Sequence, residues 1–168
     1  MKRKIFLKWF ILLVAISINL FIFINSFING ETSAKESATI SEFVADVVNT
    51  IKPETVNTSN FETFSLFIRK SLGHFILFLC SGIFTTLTFF MFLKKTKFEL
   101  FIWEFVFASL SGILLALLSE FIQIFINGRS GAFLDVLIDC SGYFIAEISV
   151  FLIVLLKKDL PFLKQKKI

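Results

Sequence analysis

The chain holds a single histidine, His74, and the residues that matter for its chemistry lie far from it in sequence. A histidine beside a carboxylate can move a proton near neutral pH when both are partly buried. Glu120 is one such carboxylate, and Gln123, three residues on, shares its helix face. Asp135 and Asp139 are four apart and share another. Arg69, Lys70 and Arg129 supply cations, and arginine is suited to gripping a phosphate or carboxylate in its planar fork. His74 and Glu120 are therefore the candidate catalytic pair. Arg69, Lys70, His74, Glu120, Gln123, Arg129, Asp135 and Asp139 together form the candidate ligand-binding set.

The elements that must position these groups are membrane helices. Of 168 residues, 56% are hydrophobic, 25 are phenylalanine and only 18% are charged, far more apolar surface than a soluble core of this size can hide. Apolar runs at about Phe6–Ile28, Ser71–Leu93, Leu100–Ile126 and Phe133–Leu156 each exceed the roughly 20 residues needed to cross a bilayer. The first lacks a small-x-small cleavage site and reads as a retained anchor. The expected fold is all-α, a bundle of four transmembrane helices, with residues 1–28 as anchor, 29–68 as an extracytoplasmic segment, 69–156 as a three-helix membrane domain and 157–168 as a basic cytoplasmic tail.

Direction follows from lysine and arginine near the span ends. Lys2, Arg3, Lys4 and Lys8, then Lys94, Lys95 and Lys97, then Lys157, Lys158, Lys164, Lys166 and Lys167 fall on one side of a four-span chain, which is the cytoplasm. Both termini are expected there, in a bacterial cell membrane. These lysines sit in short blocks between apolar runs, so the net charge of +4 does not indicate nucleic-acid binding. In the outer segment, Ile40, Phe43, Val44, Val47, Val48 and Ile51 keep helical spacing. Thr39 and Glu42 offer a capping box at the start and Pro53 a stop, and Ser59 with Glu62 offers a second cap. The acidic polar face points to a helix resting on the rim of the bundle rather than on anionic lipid.

With this topology the candidate residues converge on the outer leaflet. His74, Ser81, Thr85 and Thr88 form a polar stripe, and Asp135, Asp139, Gly142 and Ala146 line up likewise. Ala108, Gly112 and Ala116 make a small-residue ridge running on to Glu120. The opposing reading is a structural ion network in which Arg69, Lys70 and Arg129 balance Glu120, Asp135 and Asp139. Glu99 and Glu104 read as helix N-terminal acids, Cys80 and Cys140 as small buried hydrophobes, and Glu147 has no visible partner. No cofactor is expected, and one histidine excludes a His-rich metal site.

At these residues the sequence resembles the VanZ-like family of bacterial membrane proteins. The family pairs R/K-K-x-x-x-H-F with a later E-x-x-Q-x-F-x-x-G-R…D-V. Here these are Arg69-Lys70 with His74-Phe75, then Glu120, Gln123, Phe125, Gly128, Arg129, Asp135 and Val136, with Gly142 beyond. Asn127, Asp139 and Ala146 depart from the residues common at their places. The resemblance, spanning roughly Arg69 to Val150, implies a cell-envelope role, and the namesake is associated with low-level resistance to teicoplanin. The leading expectation is a binding or accessory protein, more a binder than an enzyme, engaging membrane lipid or a lipid-linked wall precursor through a polar or anionic head group. The alternative is a membrane enzyme acting on a lipid-linked substrate through His74 and Glu120. A transporter or channel would require a homo-oligomer, and no inverted repeat is evident.

Overall fold

The computed structural model describes residues 2–93 and 98–156, which form helices and turns with no strand among them. The lysines at 94, 95 and 97 and the basic tail at 157–168 lie outside the described residues. Helix α1 covers Lys2–Asn25 and α2 covers Gly30–Ile51. Helix α3, Phe61–Ile68, runs without a break into a π-helical stretch, Arg69–Ile76, and then into α4, Leu77–Phe92. Helices α5 and α6 cover Phe98–Gln123 and Phe133–Leu156. Four stretches are long and apolar enough to cross a membrane: Ile5–Asn25, Phe61–Phe92, Ile102–Gln123 and Phe133–Leu156.

The second of these begins ten residues before the expected start at Ser71. The charged pair Arg69-Lys70, expected to mark its end, is instead carried inside a continuous helix by the π-helical stretch. Helix α2 also starts earlier than Thr39. The side chain of Asn29 accepts a hydrogen bond from Thr32 N (2.8 Å), which caps the helix at Gly30. The polar residues 30–38 carry no apolar period and gave no sign of this. At α3 the cap residue is Asn60, without a side-chain cap bond, rather than Ser59.

Helices α4 and α6 form the most extensive interface, with α1 and α5 packed beside them. Ile22, Phe78, Ala116, Val136 and Tyr143 make the main core cluster. Close approach depends on small residues, as expected where lipid leaves packing rather than hydrophobic exclusion to hold helices together. A Cβ on Gly142 would run into the carbonyl of Phe75, so this glycine lets α6 lie directly against the π-helical stretch. Elsewhere, Gly30 and Gly128 meet backbone to backbone, Gly30 N bonding Asn127 O (2.9 Å). Gly128 has φ +72°, a conformation that favours glycine. This contact fastens the start of α2 to the turn between α5 and α6.

The apolar row of α2 meets the bundle only in part: Val44 and Val48 are half-buried and Ile40 borders a cavity with α1. Ser41 and Ala45 are the buried residues of α2, Ser41 bonding Ser65 of α3 (3.0 Å), whereas Phe43 is 70% and Ile51 82% exposed. Small side chains allow the tight α2–α3 contact, and Phe43, Val47 and Ile51 of the bulky row are turned outward.

Candidate functional site

The π-helical stretch explains how one short segment serves two partners. Five residues in an α-helix separate two side chains by about 140°, but an i→i+5 turn stacks them on one side. Arg69 and His74, five apart, both line the same cavity of about 270 Å³. Its walls come from α1 (Phe21, Ile22, Asn25, Ser26), from α2 (Ser33, Glu36, Ser37, Ile40), and from the π-helical stretch, α4, α5 and the α5–α6 turn.

Behind His74, away from the cavity, are two buried carboxylates. Nδ1 lies 3.0 Å from Asp139 Oδ1 and 3.8 Å from Glu120 Oε1. Asp139 is 0% and Glu120 4% exposed. Neither carboxylate lines the cavity, so the imidazole stands between them and the open space. Assigning Nδ1 as the donor and an ionised Asp139 as the acceptor across the shorter contact leaves Nε2 as the free nitrogen of a neutral ring. Nε2 has no bonded partner among the described residues and is not sealed from solvent. Asp139 Oδ2, by contrast, is fully buried and without a donor.

Glu120 does more than face His74. Its Oε2 accepts from Ala132 N (3.1 Å) at the start of α6, and its Oε1 accepts from Gln123 Nε2 (2.7 Å). Gln123 Oε1 in turn accepts from Arg129 Nη1 (3.0 Å). The E-x-x-Q…G-R pattern is thus one hydrogen-bonded chain from the turn to the imidazole's neighbour. Arg129 also donates through Nε to Ile28 O (3.1 Å) and through Nη2 to Asn25 O (3.3 Å). All three of its acceptors are neutral. Burial, then the nearby Arg69, push the Arg129 pKa below the usual arginine value, and Glu120 and Glu36 oppose them. Arginine stays charged throughout the physiological range.

The eight candidates therefore divide. Lys70 pairs with Asp135 (2.7 Å), and neither lines the cavity. Arg69, His74, Gln123 and Arg129 line it, and Glu120 and Asp139 back His74. A fully balanced ion network is not what forms. The Arg69 side chain makes no hydrogen bond or ion pair among the described residues, and Arg129 touches no carboxylate.

Several participants gave no signal in the sequence. In α1, Asn19 accepts from Ser81 (2.5 Å) and donates to Thr85 (3.2 Å), and Ser26 bonds Ser119 (2.8 Å). These polar groups are single interruptions in an apolar run that reads only as an anchor. Thr88, by contrast, bonds the carbonyl of Phe84 in its own helix. Glu104 is fully buried, which an exposed N-terminal acid would not be, and Glu99's side chain lies outside the described residues. Glu147 has a partner, Ser109 Oγ, 3.0 Å from both its oxygens. Cys80 and Cys140 are free and half-buried.

His74, Glu120 and Asp139 offer donor atoms within 4.8 Å of one another, a geometry that can hold either a shared proton or an ion. No curated protein and no solved structure shows a significant match to the chain. One family model does, described as VanZ/LLP1, and it matches residues 9–156, taking in α1 and α2 as well as the helices that carry the motifs. With the motif residues gathered at one level of the bundle and the match running over most of its length, the chain belongs to the VanZ/LLP1 family.

Proposed function

We propose that the protein is a membrane enzyme of the cell envelope, acting by acid–base chemistry on the anionic head group of a lipid-linked substrate at the outer leaflet. The observation that carries this is the setting of His74: it lines a cavity together with two arginines, its Nδ1 lies against a buried carboxylate, and its Nε2 is left without a bonded partner. An anion-binding site alone has no use for that arrangement. In an enzyme, Nε2 takes the proton of an attacking hydroxyl and returns it to the leaving oxygen. The imidazolium formed between these steps is stabilised by Asp139, whose unpartnered Oδ2 leaves that carboxylate under-satisfied in the resting site. Arg69 and Arg129 hold the anion.

The level in the bilayer supports the same reading. Counting about 20 residues back from Phe92 reaches Gly73. His74 then lies at the hydrocarbon boundary, with Arg69 and Lys70 among the head groups. The lysine blocks favour this end as the outer one. Chemistry on a lipid-linked envelope component is also the route by which the protein would alter teicoplanin susceptibility.

The test is turnover. The full chain, reconstituted in liposomes with lipid phosphates or lipid-linked wall precursors, is followed by mass spectrometry of the lipids. Wild type converts one of them, and His74→Ala slows that by about 10²–10⁴-fold, the range of a general base. Conversion that His74→Ala leaves unchanged would sink the proposal, as would a wild type inert on every class.

A further inference from the structure

We infer that the ligand of this cavity is a lipid phosphate carrying little beyond the phosphate itself, gripped between Arg69 and Arg129 with its chain leaving sideways into the bilayer. This rests on the proposed function and names its substrate class.

Charge points to the anion. Two guanidiniums face one cavity closely enough for one to weaken the other's hold on its proton. Lys70, one residue from Arg69, has its own carboxylate at 2.7 Å, whereas the Arg69 guanidinium has no hydrogen-bonding or ion-pair partner among the described residues. Arg129 spends its three bonds on carbonyl oxygens, so its position is fixed while its charge is left uncompensated at contact distance. Glu36, on exposed α2, is the sole carboxylate among the lining residues. A tetrahedral phosphate offers oxygens in several directions and can meet two separate forks at once; a planar carboxylate meets one well.

Shape and polarity point to the lipid. Part of the lining is apolar, and three of its members reach the outside of the bundle, Phe21 of α1 (57% exposed), Ile40 of α2 (49%) and Leu72 of the π-helical stretch (38%). A cavity whose lining continues onto the lipid-facing surface fits an amphiphile entering from the side. Size sets the limit on the head. Sites for drug-sized ligands run to about 300–1,000 Å³. A space of about 270 Å³ matches a phosphate with a small substituent better than a head of two sugars and a peptide.

Binding decides this independently of turnover. The full chain in phosphatidylcholine nanodiscs is titrated with inorganic phosphate, dioleoyl phosphatidic acid, phosphatidylglycerol, and a disaccharide-peptide lipid precursor. Phosphatidic acid is expected to bind at least ~10-fold more tightly than each of the other three, and Arg69→Ala to lose about 10-fold or more of that affinity. Arg129→Lys, which keeps a donor at the turn, is expected to fold as wild type and lose a similar amount. Glu147→Gln, away from the cavity, is expected to bind phosphatidic acid as wild type does, and because binding is read without turnover, failed catalysis and failed recognition give different patterns. Equal affinity for inorganic phosphate would overturn the lipid, tighter binding of the precursor would overturn the small head, and indifference to Arg69→Ala would overturn the clamp.

Discussion

Helix α6 buries three carboxylates, and two of them, Asp139 and Glu147, eight residues and about 12 Å apart, are 0% exposed. Their surroundings differ in kind. Asp139 faces an imidazole that opens onto a cavity, with Glu120 3.8 Å from the same nitrogen and one of its own oxygens unpartnered. Glu147 faces a serine hydroxyl that reaches both its oxygens, one turn below Tyr143, whose hydroxyl donates to Ala108 O (2.9 Å). Neither Glu147 nor Tyr143 lines the cavity. Burial of a carboxylate in a membrane helix is therefore not enough to mark a site. What separates the two is access and an incomplete bonding shell.

Substitutions along α6 and its neighbours can break or sharpen this contrast. The largest effect is expected from Asp139→Asn, which keeps the volume but removes the charge that supports an imidazolium; turnover should fall on the order of 10²-fold or more with the fold retained, measured beside circular dichroism. Next is Gly142→Ala, whose new methyl meets the Phe75 carbonyl and pushes α6 away from the π-helical stretch. A loss of about 1–3 kcal/mol of stability is expected, together with weaker coupling of His74 to Asp139, read by thermal unfolding in detergent and by activity. Lys70→Met leaves Asp135 without its partner. Because the lysine is partly exposed, about 1–2 kcal/mol of stability should be lost, with only a minor change in turnover. Glu147→Gln should change turnover by less than about 2-fold, since an amide still accepts from Ser109 and nothing there opens to the cavity. An Asp139→Asn variant as active as Glu147→Gln would erase the distinction.

The same contrast shows what the sequence could and could not reveal. Long apolar runs make the four spans legible, because length and hydropathy are local properties. Glu120, Gln123 and Arg129 were legible as a group because the chain that bonds them is nearly continuous in sequence. The division between Arg69 and Lys70 was not, since both look like cations at a span end. Adjacent residues on a helix diverge by about 100°, and it is the tertiary packing that gives one the cavity and the other Asp135. Asn19, Asn25 and Ser26 of α1 were hidden for another reason: a lone polar residue in an apolar helix has no period to betray which face it lies on. The exposure of Phe43, Val47 and Ile51 in α2 was not legible, because amphipathicity tells that a helix has two faces, not which residues meet protein.

Because His74 is the sole histidine, its imidazole can be observed without interference. With ¹⁵N-labelled histidine in the full chain in nanodiscs, the neutral form is expected to carry its proton on Nδ1, to shift that balance in Asp139→Asn, and to react with diethylpyrocarbonate at the open Nε2. A ring protonated on Nε2, unmoved by Asp139→Asn and closed to the reagent, would contradict a proton acceptor facing the cavity.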